Sequence, residues 1–90
     1  MKKTNKFVGY NNILTTDIKP GKVFRWNSKN KVHDVVDDYL ILRVYAYSST
    51  VELVDMICVV SHKPNSEQNF DIVIGYNIHS FTNVNWSRVE

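Results

Sequence analysis

Between Tyr39 and Val60 the chain carries two apolar arms around a short polar break. They read Tyr-Leu-Ile-Leu-Arg-Val-Tyr-Ala-Tyr, then Ser-Ser-Thr, then Val-Glu-Leu-Val-Asp-Met-Ile-Cys-Val-Val. Both arms are rich in β-branched and aromatic residues and lack Gly and Pro, so the pattern specifies a β-hairpin. A three-residue loop of Ser48, Ser49 and Thr50 sets Tyr47 opposite Val51, Tyr45 opposite Leu53, Arg43 opposite Asp55 and Ile41 opposite Ile57. Directly opposed side chains interact, and the Arg43–Asp55 pair favours this register. A two-residue loop moves Asp55 opposite Val44 and removes that cation from the carboxylate.

In this register the ribbon has two unequal faces. Leu40, Leu42 and Val44 meet Cys58, Met56 and Val54 on a purely apolar face, the predicted core side. The other face carries Tyr39, Ile41, Arg43, Tyr45 and Tyr47 beside Leu53 and Asp55, with Ile57 and Val59 further along. An amphipathic face heavy in tyrosine either lies under another part of the chain or serves as a contact surface, because the phenol has one apolar and one wet end.

The remaining segments are short and turn-punctuated. Residues 1–6 are polar, basic and aperiodic, a frayed tail by expectation, and Phe7–Tyr10 reads as a short edge strand. Ile13 to Ile18 holds Thr15, Thr16 and Asp17, which suit a turn or a single helical turn. Lys19-Pro20-Gly21-Lys22 is a type II turn signal, since Pro sets φ at the second position and Gly accepts positive φ at the third. Val23–Trp26 comes next as a strand with Phe24 and Trp26 on one side. Asn27 to Lys31 reads as a solvated loop, and Asp37-Asp38 as a break before the hairpin. Ser61 to Asn69 is a long polar loop, Phe70–Tyr76 a strand with Phe70, Ile72, Ile74 and Tyr76 on one side. Ile78 and Phe81, three apart, suit a 3₁₀ turn, and Val84–Val89 closes the chain with Val84 and Trp86 inward.

Ninety residues in this pattern predict one all-β domain: five or six short antiparallel strands, strongly bent into a small barrel, with a 3₁₀ turn before the last strand. Over residues 19–89 the order of elements resembles an SH3-type barrel: strand, polar loop, long central hairpin, fourth strand, 3₁₀ step, short last strand. The resemblance is one of layout. The acidic and aromatic pattern of proline-binding SH3 domains is missing, so the layout does not imply peptide recognition.

Charge and composition bound the function. No stretch approaches the roughly 18–20 apolar residues of a membrane helix, and no apolar signal region comes after the basic N-terminus. A single cysteine, Cys58, allows no internal disulfide, so a cytoplasmic setting is expected. The net charge of +2 does not by itself indicate nucleic acid, although Lys2, Lys3, Lys6, Lys19, Lys22, Arg25, Lys29 and Lys31 fill the first third. Asn occurs ten times, Ala once, and Lys outnumbers Arg eight to three, a bias of AT-rich genomes such as those of low-GC bacteria, their mobile elements and phages.

Catalytic, cofactor and metal sites are not expected. His33, His62 and His79 lie in or beside loops at no metal-ligand spacing, and one core cysteine builds no zinc site. Asp37 with Asp38, or Asp55 with Asp71, need a cleft to act as an acid–base pair, and Gly9, Gly21 and Gly75 are too isolated to cradle phosphate. The expected function is therefore a non-enzymatic protein-binding module, of phage or mobile-element origin, that modulates a bacterial host protein or pairs with a second copy. Its expected contacts are Tyr39, Ile41, Arg43, Tyr45, Tyr47, Leu53 and Asp55. The alternative is a nucleic-acid-binding small barrel using Lys22, Arg25, Trp26, Lys29 and Lys31, with bases stacked on aromatic rings.

Overall fold

A computed structural model describes residues 13–27, 36–62 and 71–89. Within them the chain is all-β: β1 (Val23–Asn27), β2 (Val36–Ala46), β3 (Glu52–His62), β4 (Ile72–Asn77) and β5 (Trp86–Arg88). Short 3₁₀ turns at Thr15–Asp17 and Ile78–Thr82 precede β1 and β5. One antiparallel sheet has the order β4-β3-β2-β1-β5. The edge strand expected at Phe7–Tyr10 and most of the loop expected at 61–69 lie outside the described residues, whereas Ser61 and His62 end β3.

The expected barrel does not close. β4 and β5 are the two sheet edges, and β5 is only three residues long. Side chains close the core in place of strand pairing. Ile78 and Phe81 of the second 3₁₀ turn are buried, as are Ile13 and Ile18 flanking the first. They join Phe24, Ile41, Val54, Met56 and Trp86 in one cluster. Phe81 is wholly buried and touches Phe24, Tyr76 and Trp86 edge-on or tilted, at centroid distances of 5.6, 5.4 and 4.5 Å.

Two turns form as their residues dictate. Lys22 N–H donates to the Lys19 carbonyl at 3.1 Å and Gly21 sits at φ +91°, as a type II turn requires. Tyr47 N–H donates to the Val51 carbonyl at 2.8 Å, closing a three-residue hairpin loop. From that loop the pairs run Ala46–Glu52, Tyr45–Leu53, Val44–Val54 and Arg43–Asp55, the expected register.

Beyond Arg43 the register shifts, and the facing of the strand shifts with it. Ile41 pairs with Met56, so Leu42 is an extra, bulged residue. The bulge lies where β2 leaves β1. Ile41 exchanges backbone bonds with Gly21 and Lys22, both 2.9 Å, and past it β2 pairs with β3 alone. A one-residue bulge bends the strand and reverses the facing of the side chains on its far side. Ile41 is therefore 1% exposed in the core, while Leu42, expected inside, is 45% exposed. Leu40 is half-buried on the outer face. Val54, Met56 and Cys58 face inward as expected.

A second shift, at Val59, restores the pairing Asp38–Val60 and Asp37–Ser61. Asp37 and Asp38 are thus inside β2 and not a break before it. In β4 a third irregularity centres on Gly75, at φ +72°, between the pairs Met56–Val73 and Val54–Tyr76. It turns Val73 and Tyr76 inward and leaves Ile72 and Ile74 outside, at 60% and 67% exposure, contrary to the expected common face. Val84 is likewise exposed, while Trp86 is buried as expected.

Candidate functional site

The outer face is built by the strands' register. Val23 pairs with Leu40, Leu40 with Ile57 and Ile57 with Ile72, so one apolar row crosses β1, β2, β3 and β4. Leu42, Val60 and Ile74, all substantially exposed, widen it. A contiguous apolar strip on a solvent face is a mark of an interaction surface, where scattered apolar side chains are not.

Ion pairs bound this row on both sides. Toward the 36–62 end, Arg25 lies opposite Asp38 and grips it with two bonds, Nε to Oδ1 at 2.7 Å and an amino group to Oδ2 at 3.1 Å. Asp38 raises the Arg25 pKa by that hydrogen bonding and by its charge. Toward the hairpin loop, Asp55 accepts from Arg43 Nε at 2.6 Å, from the Gly75 amide at 2.9 Å and from the Tyr45 hydroxyl at 3.1 Å. Arg43, then the Gly75 amide, hold the Asp55 carboxyl below its ordinary value of 3.8. The Arg43 guanidinium also stacks over the Tyr45 ring, 4.4 Å from its centre. The Gly75 bulge thus does two things: it brings an amide to Asp55 and aims the β4 side chains.

Of the expected contact residues, the structure keeps Arg43, Tyr45, Leu53 and Asp55 together on the outer face. Tyr47 stands at the hairpin tip, 74% exposed. Tyr39 and Ile41 leave the set, because the Leu42 bulge turns both toward the core. Ile57 is on the outer face as expected, whereas sequence reasoning missed Leu42, Ile72 and Ile74 as surface residues; a glycine inside the β4 pattern was the available sign of its bulge.

The nucleic-acid set is not assembled on one described surface. Arg25 is bound to Asp38, and Trp26 packs edge-on against Trp86 at 5.3 Å. Lys22 lines a groove of about 340 Å³ with Thr16, Lys19 and Arg88, the last bonded to Asp17 at 2.6 Å. Lys29 and Lys31 lie outside the described residues, as do His33 and Asp34. Among the described residues no group of three metal-ligating side chains exists, and no helix is long and apolar enough to cross a membrane.

The inner face differs in chemistry. Trp26, Tyr39, Tyr76 and Trp86 meet edge to face, and the Trp86 indole N–H donates to the Tyr76 hydroxyl at 3.0 Å. Asp37, cross-strand from Trp26, is buried and accepts from the Ser61 hydroxyl at 2.7 Å. Burial, together with the smaller effect of the Asp37 charge, pushes the Tyr39 phenol up to about 12. Compared with protein-family models, with curated proteins and with solved structures, the chain matches none.

Proposed function

We propose that the protein is a non-enzymatic protein-binding module whose contact surface is the outer face of β2, β3 and β4. The observation that carries this reading is the apolar row Val23–Leu40–Ile57–Ile72, widened by Leu42 and Ile74 and bounded by two ion pairs. An apolar centre with a charged rim is the anatomy of a specific protein interface. Arg43, Tyr45, Tyr47, Leu53 and Asp55 supply the rim toward the hairpin tip. The strand order and the 3₁₀ turn before β5 support an SH3-like layout, left open between β4 and β5. The AT-rich residue bias supports a phage or mobile-element origin and a bacterial host protein as the target.

The test compares wild type with the doubly substituted Ile72→Lys/Ile74→Lys variant, whose changes fall at exposed positions. Tagged wild type captures one stoichiometric protein from nuclease-treated lysate of a low-GC bacterium, or runs at twice the monomer mass in light scattering. The folded variant loses that association. A folded variant that associates as wild type does overturns the reading.

The groove beside Lys19 and Lys22 favours nucleic acid as the second reading. That reading requires capture to vanish with nuclease and affinity to fall steeply with salt.

A further inference from the structure

The core side of the sheet holds a pocket of about 220 Å³ lined by Trp26, Tyr39, Met56, Val73, Tyr76 and Trp86. This is smaller than the ~300–1,000 Å³ of drug-sized sites, so it admits a head group and not a whole ligand. Its four aromatic rings hold one another at fixed tilts, with Trp86 5.3, 5.7 and 5.9 Å from Trp26, Tyr39 and Tyr76. The indole N–H of Trp86 is already used by the Tyr76 hydroxyl, which fixes both rings.

Asp37 does not line the pocket but neighbours two of its walls, across the strands from Trp26 and two residues before Tyr39 on the same face of β2. It is only 8% exposed. Among the described residues its carboxylate accepts one hydrogen bond, from the neutral Ser61 hydroxyl. Asp17, Asp38 and Asp55 each have an arginine, and among the described residues Asp37 has none. A buried carboxylate without a cation is costly, and a cationic ligand relieves that cost.

The chemistry of the walls narrows the cation. A hard metal ion requires several oxygen or nitrogen ligands, and no such group exists among the described residues. A primary ammonium requires acceptors for three N–H groups, which an aromatic wall lacks. A methylated ammonium donates few or no hydrogen bonds, spreads its charge over methyl groups and is attracted by aromatic rings. We propose that the Trp26–Tyr39–Tyr76–Trp86 pocket, whose Trp26 wall is paired across the strands with Asp37, binds a methylated ammonium head group. This site is on the opposite side of the sheet from the outer apolar row and stands independently of it.

Trp26 and Trp86 are the chain's two tryptophans, so intrinsic fluorescence reports on the pocket directly. Tetramethylammonium chloride and choline chloride are titrated into the full chain, with sodium chloride as the ionic-strength control. The expected result is a saturable change in fluorescence that sodium chloride does not produce. Asp37→Asn, which keeps the shape and removes the charge, weakens binding by about tenfold or more. Should that variant fail to fold, Trp26→Leu removes one wall and carries the same expectation. No saturable change into the high millimolar range, or a folded Asp37→Asn that binds as wild type does, overturns the proposal. A peptide bearing trimethyl-lysine that binds about tenfold tighter than choline places the group on a protein side chain; equal affinities place it on a small molecule.

Discussion

The bulge at Leu42 decides which residues of β2 are core, and a pair of truncations tests it. Ile41 is 1% exposed and Leu42 45% exposed, whereas unbroken alternation from the hairpin loop puts Leu42 inside and Ile41 outside. Each residue loses three carbons on substitution by alanine. At about 0.8 kcal/mol per buried methylene, the transfer loss for Ile41→Ala is about 2.4 kcal/mol. The cavity left among Met56, Val54 and Phe81 raises the total to about 3–4 kcal/mol. Leu42→Ala removes atoms that are roughly half in water already, so its cost is about 1.3 kcal/mol with no cavity. The difference, about 2 kcal/mol, corresponds to about 8–16 °C in Tm for a domain of this size. Urea unfolding monitored by tryptophan fluorescence measures both, with equal slopes required for the comparison. Equal costs, or a larger cost for Leu42→Ala, refute the bulge and the assignment of faces built on it.

Gly75 tests the second irregularity. A Cβ there meets only Leu53 and Tyr45 at 3.9 Å, so Gly75→Ala costs the left-handed backbone alone, about 1–2 kcal/mol in urea unfolding, and Gly75→Asn costs less. A stabilised Gly75→Ala contradicts the positive φ. The Asp55 pKa is held below 3.8, chiefly by Arg43, so its contribution is present above 3.8 and is lost as pH falls through the lower folded-state value. Asp55→Asn is therefore less stable near neutral pH and shows a flatter decline of Tm in acid; a parallel decline contradicts the assignment. Tyr39 titrates oppositely: its phenol, raised from 10.0 to about 12, contributes stability that is present below pH 10 and lost as pH rises toward 12. An ultraviolet titration shows one phenol ionising near pH 12 that is missing in Tyr39→Phe, and its persistence in the variant refutes the burial of this group.

The hairpin, its loop length and the Arg43–Asp55 pair were legible because a charged pair anchors the register and Ser-Ser-Thr marks the turn. The facing of Leu40, Ile41 and Leu42 was not. Three consecutive apolar residues satisfy either parity, and the choice is made by the backbone bonds that Ile41 exchanges with Gly21 and Lys22, a contact no local pattern encodes. Ile72-Val73-Ile74 hides the parity of β4 for the same reason. Asp37-Asp38 resembles a break because two adjacent carboxylates are poor strand formers. The strand tolerates them because its two faces supply different partners, Arg25 outside and Ser61 inside.

The distribution of arginine bears on function more than net charge does. The sequence has three arginines, and each is bound to a carboxylate: Arg25 to Asp38, Arg43 to Asp55 and Arg88 to Asp17. Arginine is the side chain best shaped to grip phosphates and base edges, through its planar fork of donors. Here two of the arginines tie neighbouring strands and the third ties β5 to the first 3₁₀ turn, so each guanidinium, though partly exposed, already holds a carboxylate. Lysine charge attracts phosphate without reading it, whereas the two strand-tying pairs frame an apolar row and hold it in register. That framing is in keeping with the protein-binding surface proposed for the outer face. It also sets Asp37 apart, since the only described carboxylate buried without an arginine lies on the inner side, across the strands from the Trp26 wall of the aromatic pocket.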